Sequence, residues 1–93
     1  MTIFNELKLG LTDEQVAVLE QIREFEQERD DFDERATYWL SARVKYAKLY
    51  RESGEEAHKQ QRDHADDVFH EYEAMSKKAT ERMNELAKYY RSL

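Results

Sequence analysis

The sequence lacks cysteine and proline altogether and contains only two glycines in 93 residues. Average composition would give roughly six glycines and five prolines in a chain of this length. Because hairpins and tight turns depend on such residues, their shortage argues against a β-rich fold. The absence of cysteine excludes disulfide bonds, thiolate metal sites and a cysteine nucleophile.

Long apolar runs are also missing, and none approaches the length that a membrane-spanning helix requires. Residues 1–11 have neither a basic start nor a continuous apolar core, so they do not fit the pattern of a signal peptide. The formal net charge of -6 argues against generic binding to nucleic acids or membrane surfaces. These features predict a cytoplasmic protein of one domain.

What the chain does contain is the composition of long helices with one buried stripe, with 39% charged and 40% apolar residues. Thr12, followed three residues later by Gln15, fits a capping box and predicts a helix start at residue 13. An apolar repeat of three and four residues continues to residue 52 and resumes over residues 56–91. The pattern therefore predicts two long helices.

The residues between the two repeats, 53–55, predict a turn. Gly54 can be the left-handed residue that ends the first helix. Alternatively, Ser53 with Glu56 three positions later can cap the second helix. The competing interpretation is one uninterrupted helix, in which Gly54 costs only about 1 kcal/mol.

Charge favours an antiparallel pairing of the two helices. Four blocks of alternating net charge follow one another: -6 for residues 20–34, +5 for 35–51, -5 for 55–73 and +3 for 77–91. Folding the chain back at the turn places the first block beside the fourth and the second beside the third, so unlike charges meet. A parallel in-register dimer would instead place like charges together.

The predicted fold is therefore all-α: a long antiparallel, coiled-coil-like helical hairpin over residues 12–93, preceded by a short N-terminal cap segment over residues 1–11. A domain-swapped dimer of long helices would satisfy the same charge pairing.

The seam, meaning the apolar repeat that each helix turns toward the other, places small residues of one helix opposite large residues of the other. Its members include Phe25, Phe32, Ala36, Trp39, Tyr46, Ala65, Val68, Tyr72, Met75 and Ala79. The fold-back places Phe32 near Met75. Arg29 and Arg43 interrupt the seam, and two alternatives are open for them: each extends from the edge of the seam toward solvent, or pairs with an acid across it, which for Arg43 is Asp63 or Asp67.

The helices carry more apolar side chains than one seam can bury. The e positions of both helices lie on the same side of an antiparallel pair, and they hold a second apolar stripe, with Tyr38 on the opposite flank. Because helices that are apolar on more than one face are usually buried on more than one face, we expect a homodimeric four-helix bundle. The predicted interface residues are Tyr38, Leu40, Val44, Ala47, Phe69, Met83 and Tyr90.

Catalysis and cofactor binding have little support. The serines lack histidine and acid partners at helical spacing, and no glycine-rich phosphate loop is present, so no catalytic residue and no cofactor is predicted. Asp67 and His70 form a carboxylate-x-x-His pair with Asp63 one turn earlier, which makes these three residues weak metal candidates. Di-iron bundles use Glu-x-x-His on facing helices, whereas this motif occurs once and with aspartate, so solvated charges are the simpler interpretation.

The acidic block offers a more interesting surface. Its carboxylates on successive turns spread negative charge along about 20 Å of helix, as a nucleic-acid mimic would require. The simpler interpretation is a solvated face, matched in part by basic residues of the second helix. The acidic residues are Glu20, Glu24, Glu28 and Asp31, and the matching bases are Lys77, Lys78, Arg82 and Lys88.

The leading functional hypothesis is a non-enzymatic protein-binding module. It is an oligomeric helical hairpin that acts as an inhibitor, adaptor or chaperone-like partner, with a composition that favours a phage or mobile-element origin. The alternative is an acidic mimic that blocks a nucleic-acid-binding protein through Glu20–Glu34, and a third hypothesis is a metal-binding helical bundle. High salt separates the first two, because apolar binding survives it and charge mimicry does not. No membrane and no direct nucleic-acid binding is expected.

Overall fold

The computed structural model describes residues 10–93, which form two long α-helices. Helix α1 comprises Asp13–Ser53 and helix α2 comprises Glu56–Ser92. The two helices run antiparallel and pack against each other as one extended hairpin, which confirms the predicted fold class. The predicted N-terminal cap segment over residues 1–11 lies outside the described residues except for its last two.

The hairpin is long and thin. Its principal extents are 64 × 26 × 12 Å and its radius of gyration is 19.7 Å, whereas a compact chain of this length would have a radius of gyration of about 12 Å. Its accessible surface of 7058 Å² exceeds the about 5,700 Å² expected for a compact protein of the same mass. Within residues 10–93 the two helices pack only against each other, which leaves much of their surface in solvent.

Local sequence signals account for the ends of α1. Thr12 Oγ1 accepts a hydrogen bond from the backbone N–H of Gln15 at 3.1 Å, and Gln15 Oε1 accepts one from the backbone N–H of Thr12 at 2.9 Å. The predicted capping box is therefore confirmed. At the other end Gly54 adopts a left-handed conformation with φ 70°, and its N–H donates to the Tyr50 carbonyl at 2.7 Å.

The start of α2 has no comparable cap. Glu55 is its N-cap residue and makes no capping hydrogen bond through its side chain. The alternative in which Ser53 and Glu56 cap α2 is therefore wrong, as is the uninterrupted helix. The Ser53 hydroxyl instead donates to the Leu49 carbonyl and accepts from the Glu55 N–H, which keeps it at the end of α1.

The core of the hairpin is built from small residues. No large side chain in the described part of the chain is fully buried, and Ala65 at 1% exposure is the most buried residue in the core. The buried positions are Val16, Val18, Ala36, Ala65, Ser76 and Ala79. Small residues at the contact allow two helices to approach closely, so the larger side chains are displaced to either side of it.

The predicted register is correct to within one turn. Phe32 was expected near Met75; its ring contacts that of Tyr72, at a centroid distance of 6.3 Å, and Met75 lines the same groove as Phe32. Because Met75 remains 45% exposed, it borders the seam rather than filling it. The difference arises because the alanines, and not the aromatic residues, determine which side of α2 faces α1.

Candidate protein-binding faces

Two apolar faces lie on opposite sides of the hairpin. Successive residues of an α-helix are rotated by about 100°, so residues two apart point about 160° from each other. Val44 and Tyr46 therefore project from opposite sides of α1. The Val44 face comprises Leu40, Val44, Ala47 and Phe69, and the grooved face comprises Phe25, Phe32, Tyr38, Trp39, Tyr46, Ala57, His64 and Met75.

The first groove of the grooved face lies toward the open end of the hairpin. Phe25 and Phe32 of α1, with Met75 and Ala79 of α2, supply its apolar lining, and the groove encloses about 230 Å³. Its rim is charged and consists of Glu28, Lys78 and Arg82. The Arg82 guanidinium lies 6.0 Å from the ring centre of Phe25, within the range of a cation–π contact. The groove thus joins an apolar floor to charges of both signs.

The second groove lies toward the turn and is larger, at about 470 Å³. Trp39 stands edge-on to His64 at a centroid distance of 5.6 Å and edge-on to Tyr38 at 5.3 Å. Tyr38 is 66% exposed, the most exposed of the large apolar side chains in the described residues. The remaining lining residues are Tyr46, Ala57, Gln60 and Gln61. Trp39 and Tyr46 also line an adjoining groove with Lys45, so the aromatic surface continues across α1.

The Val44 face is crossed by a salt bridge between the helices. Arg43 Nη1 donates to Asp66 Oδ1 at 2.6 Å, and the Arg43 guanidinium lies 5.4 Å from the ring centre of Phe69. Arg43 therefore covers part of Phe69 while Val44 remains 61% exposed. A hydrogen bond from the Ser76 hydroxyl to the Asp33 carboxylate also links the helices on this side. The alternative in which Arg43 pairs with an acid across the seam is therefore confirmed, but the partner is Asp66, so Asp63 and Asp67 were wrong.

Hydrogen bonds between the two helices also shift the pKa values of the groups that make them. The hydrogen bond from Arg43 is the main reason why the pKa of Asp66 lies below its ordinary value of 3.8; loss of water around the carboxylate opposes it, and the charge of His70 adds to it. At the open end, the Tyr89 hydroxyl donates to the Glu14 carboxylate, and this hydrogen bond raises the pKa of Tyr89. Both contacts join α1 to α2.

The predicted interface residues do not form one surface. Four of them make up the Val44 face, Tyr38 belongs to the grooved face, and Met83 and Tyr90 are half-buried toward the open end of the hairpin. Whether any of them contacts a second chain stays a prediction.

Sequence reasoning missed the grooved face because it assigned the large aromatic residues to the seam. Phe25, Phe32, Trp39 and Tyr46 recur at intervals of seven. Such a row drifts by about 20° per heptad around a straight α-helix. Over three heptads the row therefore turns from the seam toward one side, and the alanines of α2 are too small to cover it. The seven-residue spacing of these aromatic side chains was the sequence signal from which the grooved face could have been predicted.

The three weak metal candidates are not brought together. Among residues 10–93, no group of three or more histidine or acidic side chains is placed to hold a metal ion. Asp63 accepts two hydrogen bonds from the Arg62 guanidinium, at 2.9 and 3.1 Å. His70 Nδ1 lies 2.8 Å from the Asp66 carbonyl oxygen, which occupies that nitrogen, and Asp67 is exposed.

The acidic face lies on the outer side of α1. Its four residues, Glu20, Glu24, Glu28 and Asp31, are all exposed. In the described part of the chain no ion pair joins residues 20–34 to residues 77–91, so the expected matching bases do not contact these carboxylates directly. Asp31 accepts a hydrogen bond from the Gln27 amide at 3.3 Å.

Comparisons of the chain with protein-family models, with curated proteins and with solved structures found no match. Neither helix within residues 10–93 contains a stretch long and apolar enough to span a membrane. The two apolar faces and the acidic face are therefore the features from which a function can be inferred.

Proposed function

We propose that the chain is a non-enzymatic protein-binding module of the cytoplasm, a helical hairpin that acts as an inhibitor, adaptor or chaperone-like partner. The grooved face is the observation that supports this function. Apolar patches with polar rims mark protein interaction sites, and tryptophan and tyrosine are enriched among the residues that dominate binding energy. Here Tyr38, Trp39 and Tyr46 lie side by side in solvent-accessible grooves.

The shape of the face fits a helical partner. Its first and second grooves are each lined by side chains of both helices, so they lie along the junction of α1 and α2. An amphipathic helix that lies in such a groove buries one apolar stripe, as in many helix-in-groove complexes. The rim charges of Glu28, Lys78 and Arg82 then select the register and orientation of the bound helix.

Capture of partners from native lysate by the full chain and by Tyr38→Glu tests this function. Tyr38 is 66% exposed, so the substitution leaves the fold intact while it places a carboxylate on the aromatic surface. We expect specific partners identified by mass spectrometry to be retained at high salt by the unmutated chain and lost by the variant.

Gln27→Glu is the matched control, because it adds the same charge at an exposed position on the outer side of α1. It should capture the same proteins as the unmutated chain. Equal capture by the unmutated chain and Tyr38→Glu would contradict binding through the grooved face.

An acidic mimic remains the second candidate, and it is supported by the exposed carboxylates that no base of α2 contacts. A partner held by Glu20 and Glu24 should be released as the salt concentration rises, because exposed charges are screened over about 8 Å at physiological ionic strength. Joint substitution Glu20→Gln and Glu24→Gln should then abolish capture while Tyr38→Glu leaves it unchanged.

A further inference from the structure

The four charge blocks occupy the four corners of the hairpin. Because α1 and α2 are antiparallel, the two acidic blocks lie on one diagonal and the two basic blocks on the other. Such a pattern is complementary to itself: a copy turned end over end about a two-fold axis places each block opposite one of unlike charge. Self-complementarity is what a two-fold symmetric interface requires.

The exposed area matches the requirement of a dimer. The broad side of the hairpin measures 64 × 26 Å, about twice the 800 Å² that each partner contributes to a standard interface. The accessible surface of 7058 Å² exceeds that of a compact chain of equal mass by roughly 1,400 Å², which is more than the about 800 Å² that each partner contributes to a standard interface.

We propose that a second copy of this chain covers the grooved face in antiparallel orientation and completes a four-helix bundle. This inference rests on the proposed protein-binding function, because it names the partner of one of the two faces. A helix of a different protein then binds the grooved face by displacing the second copy, so capture of partners through Tyr38 competes with dimerisation.

The axis position follows from the charge pattern. On α1 the acidic block gives way to the basic block between Glu34 and Arg35. If the two copies of α1 cross at this boundary, Glu24 lies about 15 Å to one side of the axis and meets Lys45 of the second copy, about 15 Å to the other side. Lys45 borders the aromatic surface of the grooved face, and Glu24 lies one turn before the rim residue Glu28.

Net charge distinguishes the antiparallel from the parallel orientation. The half of the hairpin at its open end, residues 20–34 with 77–91, carries a net charge of -3, and the half at the turn, residues 35–51 with 55–73, is neutral. A parallel dimer would place both negative halves together. The antiparallel dimer places each beside a neutral half, which avoids this repulsion.

Charge reversal on the purified chain tests the proposal. We expect the unmutated protein to sediment as a dimer at micromolar concentration. Glu24→Lys alone and Lys45→Glu alone should each weaken the dimer about tenfold, because like charges then meet twice in each homodimer. An equimolar mixture of the two variants should recover the dimer, since every lysine at either position then meets a glutamate.

Matched controls carry the same charge changes on the other side of α1. Glu26→Lys and Lys48→Glu should leave the dissociation constant unchanged, because Glu26 lies two residues from Glu24 on the side of the Val44 face. Weakening by these controls, and not by the first pair, would assign the dimer to the Val44 face and overturn the proposal.

Oxidative cross-linking tests the orientation. The chain has no cysteine, so Arg35→Cys provides a single thiol at an exposed position near the axis. An antiparallel dimer should cross-link through it, whereas Thr37→Cys, which points away from the grooved face, should not. Lack of a cross-link in a dimer would overturn the antiparallel orientation.

A monomer mass for the unmutated chain throughout the micromolar range would overturn the second copy as partner. Because these measurements use the purified chain alone, their failure is separate from failure of the proposed function. That function fails when capture from lysate does not depend on Tyr38.

Discussion

The two faces of the hairpin are made by the same two helices, but they differ in whether their side chains bind each other or lie open to solvent. On the Val44 face, polar groups of α1 and α2 pair with each other, through Arg43 with Asp66 and through Asp33 with Ser76. On the grooved face, large aromatic side chains lie in open grooves with a charged rim. The comparison indicates that the Val44 face fixes the register of the helices, whereas the grooved face supplies apolar surface to a partner.

The largest effect should come from a change that alters both faces at once. Ala65 is 1% exposed where the helices meet, so Ala65→Leu would force them apart. Overpacking of this kind costs about 1–3 kcal/mol. We expect that loss in the free energy of unfolding, measured by urea titration followed by circular dichroism.

The exposed Ala74 on the same helix provides the control. Ala74→Leu should change the free energy of unfolding by less than about 0.5 kcal/mol. Equal effects at the two positions would contradict the view that alanines set the distance between the helices.

The second prediction concerns the turn, which both faces share equally. Gly54 has φ 70°, and no atom lies within 4 Å of the place where a Cβ would be. The cost of Gly54→Ala is therefore a backbone cost, which we expect to be about 1 kcal/mol in the free energy of unfolding. Gly54→Asn should cost less, because asparagine tolerates the left-handed conformation. A larger cost for asparagine would show that space, and not conformation, limits this position.

Local signals made much of this fold predictable. Thr12 with Gln15 and the glycine at position 54 act within one turn of backbone, so a sequence pattern is enough to recognise them. The antiparallel orientation was equally accessible, because blocks of charge depend on order along the chain and not on exact contacts.

The faces were harder to predict because they depend on the rotation of each helix about its own axis. If paired across the seam, Arg43 was expected to reach Asp63 or Asp67, but it pairs with Asp66, about 100° around α2 from Asp67. Asp63 is bound by Arg62. Rotating one helix about its axis by part of a turn changes which side chains meet across the seam. The positions of small residues such as Ala65 determine this rotation.

The third prediction compares the two faces by removing one serine hydroxyl from each. Ser76 is buried and donates to Asp33 on the side of the Val44 face, whereas Ser41 is exposed beside the grooves. Ser76→Ala should lower the free energy of unfolding by about 0.5–1.5 kcal/mol, the usual net value of one hydrogen bond. Ser41→Ala should have almost no effect on the free energy of unfolding, measured for both variants by urea titration. A reversed order would indicate that polar links on the Val44 face do not fix the register.

The smallest effect, and the most specific one, concerns the acid dependence of the salt bridge on the Val44 face. Arg43 holds the pKa of Asp66 below its ordinary value of 3.8, so the folded state binds this proton less readily than the unfolded state. The resulting stability is fully present well above pH 3.8 and is lost as the pH falls through the lowered pKa. Asp66→Asn removes that contribution. The variant should therefore melt at a lower temperature than the unmutated chain at pH 7, and the difference should shrink below about pH 4.

Asp67→Asn removes the same charge from the neighbouring position but leaves the Arg43–Asp66 salt bridge in place. At pH 7 the melting temperature of Asp67→Asn should therefore lie closer to that of the unmutated chain than the melting temperature of Asp66→Asn. Thermal melts of the three proteins between pH 2.5 and 7 measure this difference. The salt concentration must be the same in all of them, because salt screens an exposed ion pair such as Arg43–Asp66. If Asp66→Asn and Asp67→Asn gave the same dependence of melting temperature on pH, the direct contact between Arg43 and Asp66 would add nothing to stability beyond the negative charge of the carboxylate. The Val44 face would then differ from the grooved face in composition but not in its role in setting the register.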